Sequence, residues 1–341
     1  MVRVTTAALI AAALLIPVPA ADAVELKIAT LAPDGSYWMN EARAAADEVA
    51  ERTSGRVSFR FYPGGTMGDD SAVLRKMRIG QLHGGVFLAG SLGQVAPDIQ
   101  VYSLPLLFAS YDEVDAVRSR VDADLVAALD AAGYHTFGFI EGGFAYLYTT
   151  SKAAGFDDLK GRKAWLPEGD PIGRVLIKEA SLSPVPLGLS DVLTGLQTGL
   201  IDVVTGPPVG AVALQWFTKV RYMVDVPVIY THGLVAIADR AWDRIAPADR
   251  EIVDDVFSRM TRKLDQRARE DNRAALRALG KQGVEVITTS DATKRQWQAM
   301  AARASAALVQ ELDLSRALVE RIDAILDGYR REASADDAGA R

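Results

Sequence analysis

The sequence predicts an α/β protein of two lobes. Three observations carry this: strand and helix patterns alternate in a β-α-β rhythm before residue 90 and again after residue 134, a very long helical pattern follows residue 247, and 341 residues suffice for two cores.

Taken in order, residues 1–23 read as an export signal. Arg3 supplies a positive start, residues 7–16 are an unbroken apolar run, Pro17 and Pro19 break it, and Ala21-Asp22-Ala23 offers a small-x-small cleavage site. The run is too short to span a bilayer, and no later stretch is long and apolar enough. A soluble, exported mature chain without stable membrane insertion is therefore expected. Residues 26–30 read as a strand, and Ser36 caps a helix whose apolar face is Trp38, Ala42, Ala45 and Val49. Val57, Phe59 and Phe61 alternate with polar residues as a strand, residues 69–79 form an amphipathic helix, and residues 85–89 a buried strand.

The rhythm returns with strands at 134–140 and 145–150, a helix at 171–180, a helix at 190–198 capped by Ser190 and stopped by Gly199, and strands at 201–204 and 226–238. From Pro247 the apolar stripe Val253, Phe257, Met260 and Leu264 opens a helix reaching Gly280, about 50 Å at 1.5 Å per residue, long enough to brace two lobes. One strand at 284–287 and two helices from 291 to 330 follow. Residues 331–341 are small and polar and are expected to be a disordered tail.

Composition narrows the function. The net charge is −6, with no basic block, which speaks against nucleic acid. The absence of cysteine excludes disulfides, a lipid-anchored amino terminus and thiolate chemistry. His83, His135 and His232 are far apart and show no metal-ligand spacing. There is no G-x-S-x-G elbow, Gly155 to Lys163 fails the phosphate-loop pattern, and Asp69-Asp70 reads as a first helical turn. No catalytic, metal or cofactor site is expected, and an exported binding protein leads over an exported enzyme.

Along most of the chain the residues resemble the DctP family, the solute-binding proteins of TRAP transporters. The shared blocks are Ala32-Pro33 to Ser36, Glu51 to Arg56, Tyr62-Pro-Gly-Gly65 with Met67-Gly68-Asp69, and Leu104-Pro105 to Phe108. The most specific are Asp158-Leu-Lys-Gly161 to Pro167, Pro184-Val-Pro186, and Leu196-Gln-Thr-Gly199 with Ile201-Asp202. The resemblance implies a periplasmic-binding-protein (Venus flytrap) fold, each lobe a mostly parallel sheet flanked by helices, with a long helix bridging both. On that pattern one lobe is 24–142 plus 231–270 and the other 143–230 plus 271–330. It implies a small-molecule ligand and, as partners, the small and large membrane subunits of a TRAP transporter; a signalling receptor is the other role this scaffold allows.

The chain departs from the family where ligand is held. Trp165 stands where an arginine usually clamps a carboxylate, Gly206 where an amide is common, Tyr146 at a position often polar or basic, and Leu189 where an aromatic is usual, while the first lobe's cleft strand reads Val86-Phe87-Leu88-Ala89. These changes replace charge with apolar surface, so a hydrophobic or aromatic ligand is expected, with Trp38 and Trp216 as further contacts. Phe108, Tyr148, Phe217 and Tyr230 are additional candidates for the cleft lining. The alternative is an ordinary organic-acid receptor in which Trp165 only packs and Arg162 or Arg174 reaches the carboxylate.

Overall fold

The computed structural model describes residues 23–153 and 155–339; the expected export signal falls outside them except for Ala23. The first half contains β1 (Val24–Ala29), α1 (Tyr37–Arg52), β2 (Val57–Tyr62), α2 (Asp70–Arg78), β3 (Gly84–Leu88), α3 (Tyr111–Ala131) and β4 (Tyr134–Thr149). Then come α4 (Phe156–Leu159), β5 (Lys163–Pro167), α5 (Pro171–Glu179), β6 (Ser183–Leu187), α6 (Val192–Thr198), β7 (Val203–Gly206), α7 (Pro208–Ala213) and β8 (Tyr222–Val224). The chain closes with β9 (Ile229–Ala238), α8 (Asp239–Trp242), α9 (Pro247–Lys281), β10 (Glu285–Ile287), α10 (Asp291–Glu311) and α11 (Arg316–Gly339).

Local chemistry explains most boundaries. The Met39 amide donates to Ser36 Oγ and the Ala72 amide to Asp69 Oδ1, so polar side chains cap α1 and α2. The sequence reading passes over α3, although its signals are present. Ser110 accepts from the Glu113 amide, and Val114, Val117, Val121, Leu125 and Leu129 form its buried stripe. The helix expected from Ser190 begins instead at Val192, after a short 3-10 turn over Leu189–Asp191, and no side chain caps it. The stretch expected to be a disordered tail continues α11 as far as Gly339.

The strands join in one ten-stranded sheet, ordered β2-β1-β3-β9-β4-β7-β5-β6, with β8 pairing to β4 and β10 to β8. β1 runs parallel to β2 and β3, and β5 parallel to β6 and β7; β9 and β4 are the antiparallel pair at the centre. β6 lies at an edge and carries Pro184 and Pro186, which cannot donate to another strand. The two strands expected at 134–140 and 145–150 are one 16-residue strand, β4, which serves both lobes. It is interrupted by register shifts between Thr136 and Phe139 and between Glu141 and Gly143. Gly138 and Gly143 take φ of 96° and 95° there, so these bulges need glycine.

Burial follows the two faces of this sheet. On one face a continuous core links α3 and α11 on the first lobe with α5 and α10 on the second. On the other face the core is split. Leu26, Ala42, Val49, Val253 and Phe257 form one cluster, and Tyr148, Val192, Leu196, Trp216 and Leu279 the other. The 35-residue α9 runs across this split, contributing Val253 and Phe257 to the first cluster and Leu279 to the second. The long helix therefore braces both lobes, as its length suggested.

Candidate ligand cleft between the lobes

Strand polarity locates the cleft. β4 passes from the first lobe to the second and β9 returns. Since β3 is antiparallel to β9 and β7 antiparallel to β4, the carboxyl ends of β1, β3, β5, β6 and β7 all point at the crossing. Loops from opposite lobes meet there: a Cβ added at Gly169, after β5, would lie 4.0 Å from Ser71 Oγ on α2.

The second-lobe wall is aromatic. β5 presents Ala164 and Leu166 to the continuous core and Trp165 to the other face, as a pleated strand must. Trp165 is half-buried, and its indole N–H donates to the Leu187 carbonyl of the neighbouring strand at 2.9 Å. Its ring meets Trp216 edge-on, with centroids 5.6 Å apart and an interplanar angle of 72°. Trp216 is 2% exposed and backs Trp165 from within. Gly206 makes room for it, and Tyr146 lies directly across the ladder from Gly206. Leu189 packs on the same cluster.

Of the seven expected contact residues, the structure thus brings together Tyr146, Trp165, Leu189, Gly206 and Trp216. Leu88 and Trp38 belong to the other lobe. Leu88 ends β3 and is 57% exposed, while Trp38 is half-buried in the first turn of α1 against that lobe's core. Phe108, Tyr148 and Tyr230 are fully interior, and Phe217 is half-buried on the second-lobe cluster. Their bulk serves packing, because the centre of the sheet is covered on both faces.

The two arginines proposed to reach a carboxylate are engaged elsewhere. Arg162 donates to the carbonyls of Ser151 and Lys152 and to Ser151 Oγ, and Arg174 pairs with Glu311 on α10. At the cleft lip, Ser91 Oγ and the Leu88 amide donate to Asp70, tying the loop after β3 to α2. Burial pushes the Asp70 carboxyl up to about 6, the neighbouring Asp69 adding to the effect. Asp170 caps α5 through the Ile172 amide, and burial raises its pKa as well. Burial, then Asp225, raises the Tyr146 phenol.

Sequence reasoning missed the polar network where β4 and β9 cross. Asp265, Arg269 and Asn272 lie four and three residues apart on α9, one polar face aimed at the second bulge of β4. Asp265 accepts from the Glu141 amide at 2.8 Å and from Arg118 at 2.9 Å. Arg269 holds the Glu141 carboxylate at 3.0–3.1 Å and also pairs with Asp115, and the Tyr230 hydroxyl donates to Glu141 at 3.1 Å. Burial raises the Glu141 pKa against the pull of Arg269. Burial likewise drives His232, also in the crossing strands, down to about 3. The only sequence trace of this network is the polar spacing on an otherwise amphipathic helix.

Comparison with known proteins agrees with this architecture. The model of bacterial extracellular solute-binding protein family 7 (DctP) matches residues 28–311. The C4-dicarboxylate-binding periplasmic protein DctP of Rhodobacter capsulatus is 27% identical over 285 residues, covering 79% of this chain and 81% of its own. A TRAP periplasmic solute binding protein from Xanthobacter autotrophicus PY2, solved with β-D-galacturonate, superposes with a TM-score of 0.80 at 21% identity, covering 89% of this chain and 99% of its own. DctP7 of Bordetella pertussis, an extracytoplasmic solute receptor binding pyroglutamic acid, gives 0.81 at 22%, covering 89% and 100%.

Proposed function

The chain belongs to bacterial extracellular solute-binding protein family 7, and from that premise we propose that it is the periplasmic receptor of a TRAP-type transporter. It closes two lobes on a small organic solute and delivers it to a small and a large membrane subunit. It acts by binding and not by catalysis. The lobe division at 142/143 and 230/231 is supported by the Glu141–Gly143 irregularity, where β4 and β9 cross. α10 packs on α5 in the second lobe, whereas α11 lies against α3 in the first and is the exception to that division.

The ligand reading rests on one observation: Trp165 in the middle of β5, its N–H committed to Leu187 and its ring backed by Trp216. An indole held this way offers a face and an edge, and no charge. We infer a solute that lays an apolar or ring-shaped face on Trp165, with any carboxylate held away from that position. The related receptors named above take a C4-dicarboxylate, a sugar acid and a cyclic amino acid derivative. All three are carboxylates, so they lend the apolar part of this reading no support; two of them are rings. The alternative with Arg162 or Arg174 as carboxylate clamp is disfavoured by their bonds to the Ser151–Lys152 corner and to Glu311.

The test is a thermal-shift panel on purified mature protein. Ring-bearing solutes, such as aromatic acids and uronates, are expected to raise Tm, and succinate, malate and sialic acid are not. A robust shift with succinate or malate would overturn the apolar-face reading while leaving the receptor assignment intact.

A further inference from the structure

Asn272 on α9 is 3% exposed and uses both ends of its amide. Its Nδ2 donates to the Gly142 carbonyl at 2.9 Å and to the Ala268 carbonyl at 3.0 Å, and its Oδ1 accepts from the Val209 amide at 3.2 Å. Gly142 belongs to the hinge bulge of β4. Val209 is in the first turn of α7, three residues beyond Gly206 at the cleft end of β7. First-turn amides of a helix have no partner within the helix, and Pro208 has no N–H, so Val209 depends on an outside acceptor. The fit on the hinge side is close: a Cβ on Gly143 would stand 2.5 Å from Asn272 Nδ2, and one on Gly142 2.5 Å from Thr231 Oγ1. One buried side chain therefore joins the second bulge of β4 to the corner beside the aromatic wall.

We propose that Asn272 is the positioning residue that couples the Gly206–Val209 corner of the cleft to the hinge bulge at Gly142–Gly143, so that the corner and the hinge move together when the lobes close. This rests on reading the protein as a closing receptor. The geometry accounts for an amide here: its Nδ2 supplies two donors, for the Gly142 and Ala268 carbonyls, while its Oδ1 accepts from the Val209 N–H. Adjacent side chains keep the rest of the bulge in register, Asp265 holding the Glu141 amide and Thr231 Oγ1 donating to the Gly143 carbonyl at 2.8 Å.

The test separates the two ends of the amide. Asn272→Ala removes both bonds, whereas Asn272→Asp keeps an acceptor for Val209 and loses the donor to Gly142. Because the chain has no cysteine, Thr66→Cys and Glu168→Cys, exposed on facing loops of the two lobes, report the interlobe distance through spin labels without background. The Val209 amide is expected to exchange about tenfold faster in Asn272→Ala and at the native rate in Asn272→Asp. Both variants are expected to broaden the interlobe distance distribution. Should the distribution stay native in both, the proposal is overturned and Asn272 is only a cap for α7; if Asn272→Ala does not fold, the Asp variant decides alone. These comparisons are made without ligand, so they do not depend on which solute binds. A failure of the receptor reading would instead appear as an unchanged wild-type distance with every member of the solute panel.

Discussion

The six-membered ring of Trp216 lies on the backbone of Gly206, so close that a Cβ there would stand 3.0 Å from Cζ3 and 3.2 Å from Cη2. The missing side chain at Gly206 and the two indoles of the wall are therefore one arrangement. The glycine admits Trp216, and Trp216 supports the face of Trp165.

Gly206→Ala is expected to lower stability by about 1–3 kcal/mol, since an added methyl in a filled site forces the ring to shift. Combining it with Trp216→Leu should recover part of that loss relative to the sum of the single changes. Denaturant unfolding of the four proteins gives the coupling directly; strictly additive effects would mean the two residues do not share one space.

Trp165→Leu removes the ring and the donor to the Leu187 carbonyl. Affinity for any ring-bearing solute that shifts Tm should fall about tenfold or more by calorimetry, the size of one lost aromatic contact. Arg162→Ala and Arg174→Ala, by contrast, should leave that affinity within about 0.5 kcal/mol of wild type, as expected for residues away from the ligand.

Asp70 carries a pH signature. Its folded-state pKa, near 6, lies above the unfolded value of about 3.9, so its contribution to stability is full below pH 3.9 and is lost as pH rises through 6. Asp70→Asn should flatten the part of the Tm-versus-pH curve between pH 4 and 7. Carboxyl NMR titration of the wild type should show one aspartate titrating near pH 6.

Arg269→Met would leave the buried Glu141 carboxylate without its cation, at a cost of about 3 kcal/mol. Burial already raises the Glu141 pKa, so the protonated form is the more tolerated one. The deficit should therefore be greater at pH 8 than at pH 4. An equal deficit at both would show that Glu141 does not carry the effect.

Much of the fold was legible in the sequence because its signals are local. Alternation at Val57, Phe59 and Phe61, the Ser36 cap and the α9 stripe each occupy a few neighbouring residues, and each element formed where expected. α3 was missed despite its cap and its stripe. The single strand β4 was divided in reading because bulges at glycines resemble a turn when pairing partners are unknown. At the cleft, Tyr146, Trp165, Leu189, Gly206 and Trp216 were singled out one by one, and nothing in their spacing showed that they touch.

By itself, then, the sequence determined the α/β class, the paired lobes and the bracing helix, since periodicity and capping act within a turn or a strand. The tertiary structure alone decided that the Trp165 N–H is used by Leu187, 22 residues away, and that Arg269 and Asn272 meet β4 across 128 and 130 residues. Such bonds depend on which strands pair and where α9 crosses them, and no local propensity carries that information.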